Sequence, residues 1–90
     1  MSISKREIIL LESRAMDGEA DAQCTLGWCY HIGRGVTKDL KRAIELYQQA
    51  ADQGYARAKA NLGFCYQQGE GVGQDLKKAV DLYRVAGVKL

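Results

Sequence analysis

Shifted by 36 positions, this chain lies over itself. Residues 20–54 set against 56–90 agree at 16 of 35 positions. The agreements include Leu26 with Leu62, Gly27 with Gly63, Cys29 with Cys65, Tyr30 with Tyr66, Gly33 and Gly35 with Gly69 and Gly71, and Asp39 with Asp75. A period between about 20 and 50 residues is that of stacked supersecondary units, none of which can bury its apolar side alone. The leading residues fit the same frame, since Lys5, Arg6, Ile8, Leu10, Ala15 and Gly18 recur one period later. The chain therefore divides into a half unit at 1–18, a full unit at 19–54 and a second at 55–90.

Within a unit the apolar spacing is helical. Ala43, Leu46, Tyr47, Ala50 and Ala51 follow the i, i+3, i+4, i+7, i+8 pattern, and Ala79, Leu82, Tyr83 and Ala86 repeat it. Asp39 and Asp75 stand before these stripes as N-caps, and Gly54 follows one where a left-handed stop costs least. The earlier half of each unit carries a second helical face, built in the first from Ala22, Leu26 and Tyr30. Each unit is thus a helix hairpin. Its joint, Gly33-Arg-Gly-Val-Thr-Lys or Gly69-Glu-Gly-Val-Gly-Gln, follows no strand and completes no phosphate-binding motif, so its glycines serve a turn with positive φ. Gly27 and Gly63 lie inside helices at about 1 kcal/mol each relative to alanine, a cost that points to close approach of a neighbouring helix.

Composition excludes most other classes. With 47% apolar and 27% charged residues the chain is globular, and a net charge of +2 without charge blocks gives no nucleic-acid footprint. The pairs Lys41, Arg42 and Lys77, Lys78 read as solvated surface. The apolar run Ile8 to Leu11 is too short for a signal segment or a membrane span, so a cytosolic location and no membrane partner are expected. Three cysteines cannot all pair within one chain and are read as packing thiols. Cys24 and His31 stand about 10 Å apart along a helix, beyond the reach of one zinc ion, so no metal or cofactor is expected. The single histidine has no nucleophile or carboxylate partner set by spacing, and the chain is read as no enzyme.

The run Ala-x3-Leu-Gly-x2-Tyr-x2-Gly-x-Gly-Val-x2-Asp-x3-Ala-x3-Tyr-x2-Ala-Ala-x-Gln-Gly, from Ala22 to Gly54, resembles a Sel1-like repeat, and a second copy keeps the pattern from Ala58 to Ala86. The resemblance implies an all-α solenoid of about five helices, related to tetratricopeptide repeats and acting as a scaffold for protein complexes. Gly87, Val88, Lys89 and Leu90 depart from the pattern and leave the end of the last helix undefined.

Two surfaces follow as candidates. First helices of stacked hairpins line a concave face, which here would present Asp21, Cys24, Trp28, His31 and Ile32 in the first unit and Arg57, Phe64, Gln67 and Gln68 in the second. Trp28 and Phe64 would form an aromatic strip for a partner peptide or helix, with His31 and Gln67 offering hydrogen bonds and Asp21 meeting Arg57. Cys24 would be the thiol most open to reaction. The other surface is the C-terminal face, where Val80, Tyr83, Val85 and Val88 have no helix to cover them and a second copy of the chain could pair. At the opposite end, Ser4-Lys-Arg-Glu7 is spaced as a capping box. Glu7 and Arg14 replace Ala43 and Ala50, which suggests a polar terminal cap with Met1 as the true start of the array.

Overall fold

A computed structural model describes residues 3–89 of the chain. Met1, expected to begin the array, and Leu90, expected to close the second unit, lie outside the described residues. The chain forms α1 (Lys5–Met16), α2 (Ala20–Ile32), α3 (Leu40–Asp52), α4 (Ala56–Gln68) and α5 (Leu76–Val85). No strand occurs among the described residues. Each helix packs mainly on the helices before and after it, giving a stack 38 Å long and about 22 by 21 Å across. This is the all-α solenoid that the period requires.

The helix boundaries follow from local chemistry. Ser4 Oγ accepts from the Glu7 amide at 3.2 Å, and the Glu7 carboxylate accepts in return from the Ser4 amide. Asp39 and Asp75 accept from the amides of Arg42 and Lys78, both at 3.0 Å. These side chains occupy donors that the first helical turn leaves free. α1 and α3 end on Gly18 and Gly54, with φ of 87° and 85°, and the following amide returns to the carbonyl five residues back. α5 uses the same device at Gly87, φ 84°, where the Val88 amide bonds the Tyr83 carbonyl. α3 has 13 residues and α5 has 10, so the departure seen after Ala86 advances the stop by three residues.

Two layers of core alternate along the stack. Ile8, Ala15, Ala22, Leu26, Cys29 and Leu46 fill the first, and Ala43, Tyr47, Ala50, Ala58, Leu62 and Cys65 the second. Gly27 is needed where α2 crosses α3: a β-carbon there would sit 2.8 Å from Tyr47 Cδ1 and 3.3 Å from the Ala43 carbonyl. The hairpin loops stack on the preceding second helix, with Gly35 against Ile8 and Ile3 and Gly71 against Ile44 and Leu40.

The ends differ from the sequence reading in one respect. The outward side of α1 shows Ile9, Leu10 and Met16 to solvent, so it is not the polar surface expected there. Glu7 is engaged in its capping box, and Arg14 reaches Glu19 at 3.1 Å and Asp21 at 2.8 Å. Both charges stabilise the start and end of α1 and leave its middle apolar. At the other end α5 buries only Ala79.

Candidate functional site

α2 and α4 stand side by side because α3 packs on both. Their outward residues form a groove of about 650 Å³ with an apolar floor of Trp28, Ile32 and Phe64 and with Lys38, Asn61 and Glu70 at its edge. Trp28, Ile32 and Phe64 are 44%, 42% and 42% exposed, far more than the core residues one helical turn away. A smaller hollow of about 220 Å³ adjoins it, sharing Trp28 and Asn61 and bordered by Thr25 and Arg57.

His31 lines the same groove between the two aromatic rings and is nearly buried there. Its ring is 5.7 Å from that of Trp28, edge-on, and 6.1 Å from that of Phe64, so the two exposed rings are joined through the imidazole. Nδ1 is 3.1 Å from the Tyr47 hydroxyl and Nε2 is 2.6 Å from the Glu70 carboxylate. Burial pushes the Tyr47 phenol far above its usual range, so it stays protonated. In the neutral ring, Tyr47 O–H donates to Nδ1 and Nε2–H donates to Glu70. Tyr47 and His31 belong to the first unit and Glu70 to the loop of the second. The chain of bonds therefore ties one unit to the next directly under the groove.

Residues 20–55 and 56–87 each match the Sel1 repeat model. The chain belongs to the Sel1 repeat family. Three solved structures share its fold. One is c5321, a protective antigen of uropathogenic Escherichia coli strains displaying an SLR fold, at 44% identity over 89% of this chain with a TM-score of 0.86. Another is a Sel1 repeat protein from Oxalobacter formigenes, at 30% identity over 92% of the chain with a TM-score of 0.90. The third is cysteine rich protein B of Helicobacter pylori, at 26% identity over 91% with a TM-score of 0.85. The present chain spans 17%, 63% and 62% of their respective lengths. No curated protein matches it. The Sel1 hairpin array is a non-enzymatic helical-repeat fold typical of protein–protein interaction modules. Among the described residues, no three His, Cys, Asp or Glu side chains are grouped to hold a metal, and no helix is long and apolar enough to cross a membrane.

The Sel1 repeats bring part of the expected concave set together. Trp28, Ile32 and Phe64 form the floor, and Arg57, Gln67 and Gln68 are exposed on α4. Three expectations need correction. His31 lines the groove as expected, but at 8% exposure and with both nitrogens already bonded it offers no free hydrogen bond beside the rings. Cys24 is 1% exposed against Asn61, and burial pushes its thiol up, so it is not the reactive surface thiol expected. Asp21 pairs with Arg14 across the α1–α2 turn instead of meeting Arg57, because Arg14 is within 2.8 Å. Gln67 takes the His31 position in the second unit and accepts from the Tyr83 hydroxyl at 2.8 Å. Tyr83 is thereby turned into its own hairpin, while Val80 is half-buried and Val85 and Val88 are exposed.

Lys38, Asn61 and Glu70 were not among the sequence candidates. Their signal was available in the comparison of the two units: Glu70 stands where the first unit has Arg34, and Lys38 where the second has Gln74.

Proposed function

We propose that the chain is a non-enzymatic adaptor that captures a peptide or helix of a partner protein in the groove between α2 and α4. The observation that carries this reading is the cluster of Trp28, Ile32 and Phe64, each more than two-fifths exposed over one hollow. Large side chains held half in solvent by a packed imidazole give a rigid apolar surface, and aromatic anchors of this kind contribute most of the energy at interaction hot spots. The test is a pull-down with wild type and a Trp28→Ala, Phe64→Ala double variant, with thermal melts of both. Loss of the captured partner with a nearly unchanged Tm supports the groove. Equal retention, or loss only in step with unfolding, refutes it.

A second reading rests on α5. Leu76 and Val85 are 59% and 63% exposed, and Leu76 and Val80 repeat Leu40 and Ile44, which the loop of the second unit covers. A second copy seated on this face would give a dimer. Light scattering on the eluting peak at micromolar concentration tests it, and a monomer mass would remove it.

A further inference from the structure

We propose that a second copy of this chain seats on the outward side of α1, with its own α1 running antiparallel, so that two stacks join end to end. The inference goes beyond the adaptor reading and concerns a surface that the groove does not use.

α1 buries Ile8 and Ala15 against the stack, and the side opposite them carries Arg6, Ile9, Leu10, Ser13 and Asp17 at helical spacing. All five are exposed, Ile9 and Leu10 to 67% and 58%. One period later, α3 places the charged Glu45 in solvent where α1 has Ile9, and buries Leu46 in the first core layer where α1 has Leu10. The apolar pair is therefore exposed on α1 alone of these two helices.

The charges at the ends of the stripe select its occupant. Arg6 and Asp17 stand about three turns, or about 16.5 Å, apart on one face, with Ile9, Leu10 and Ser13 between them. Among the described residues neither takes part in an ion pair. Turned end for end about a two-fold axis, this stripe is its own complement. When Leu10 of one copy lies over the small Ser13 of the other, Arg6 of each copy faces Asp17 of the other, and the contact is made twice.

The neighbouring charges favour the same orientation. Lys5 and Arg6 against Glu7 leave the N-terminal end of α1 positive, and Arg14 against Asp17, Glu19 and Asp21 leaves the C-terminal end negative. Arg14 is held by Glu19 at 3.1 Å and Asp21 at 2.8 Å, so it does not neutralise Asp17. Antiparallel seating sets positive on negative at both ends and opposes the two helix dipoles, whereas a parallel pair would set like on like.

Sedimentation equilibrium of the intact chain tests this. One helix pair makes a small interface, so the dimer should dissociate on the order of tens of micromolar, and more readily as salt shortens the Debye length from about 10 Å to about 3 Å. Arg6→Asp and Asp17→Arg should each weaken dimerisation at least about tenfold, because each creates two like-charge contacts in a two-fold interface. The double variant Arg6→Asp, Asp17→Arg should return to within about threefold of wild type. An aspartate in the first turn and an arginine after the last are both favoured by the helix dipole, so none of these variants should lower Tm in dilute solution. Val85→Asp, on α5, should leave the dimer intact.

A chain that stays monomeric on the order of a millimolar overturns the proposal. So does a dimer that either single charge reversal leaves unchanged, or one that the double variant fails to restore. A dimer lost in Val85→Asp and kept in Arg6→Asp overturns it in favour of pairing through α5.

Discussion

Gly27 and Gly63 occupy one sequence position in two units, yet their surroundings predict different costs. A methyl at residue 27 would press on Tyr47, which is fully buried and bonded to His31, whereas at residue 63 it would meet Tyr83 at 3.1 Å, a half-buried ring with room to shift. Alanine gains about 1 kcal/mol of helix propensity at either site, and overpacking a tight core costs about 1–3 kcal/mol. Gly27→Ala should lower stability in urea melts by up to about 2 kcal/mol net, and Gly63→Ala should be near neutral or slightly stabilising. The thiols supply a pH effect at the same scale. Burial, with Glu70 nearby, pushes Cys65 up from 9.0 to about 11. A thiol harder to ionise when folded stabilises the native state below its unfolded pKa, and that contribution disappears as pH rises through the folded one. Cys24, Cys29 and Tyr47 are raised by burial as well and act in the same direction. Tm should therefore fall progressively above pH about 9, and Cys65→Ala should make that slope shallower.

The helix boundaries were legible in the sequence because their causes lie within a few residues. The Ser4–Glu7 box, the Asp39 and Asp75 caps and the Gly54 stop each depend on contacts three to five residues apart. Removing one such cap by Asp39→Ala should cost about 1 kcal/mol in chemical denaturation. Asp75→Ala should cost less, because the helix it starts buries only Ala79. Side-chain roles on the groove were less legible. A helical wheel put Trp28, His31 and Cys24 on one outward arc, but it gives direction relative to one axis only. His31 is buried by Glu70, 39 residues away in sequence, and Cys24 by Asn61, 37 residues away. Those partners lie on the following unit, and no periodicity within α2 encodes them. The outward side of α1 was misread for a related reason. Glu7 and Arg14 marked charge in the stripe, while their side chains turn to the helix ends and leave Ile9 and Leu10 in solvent.

Across the whole molecule, burial is concentrated in the middle of the stack. Leu26, Leu46, Tyr47 and Leu62, from α2, α3 and α4, are at most 1% exposed, and no α5 residue except Ala79 is buried. In a one-dimensional array each unit is stabilised by its neighbours, so an end with one neighbour opens first. Native-state hydrogen exchange should show α5 amides opening at a lower free energy than those of α2 and α3. Uniform protection through all five helices would contradict this and imply a cover over α5 in solution. The early stop at Gly87 has a consequence for anyone extending this array by fusion. Three missing residues remove about 4.5 Å of rise and about 300° of rotation, so a hairpin grafted directly after Gly87 would leave the superhelical phase of its predecessors. Reinserting those residues before the glycine is the splice that would restore a common pitch.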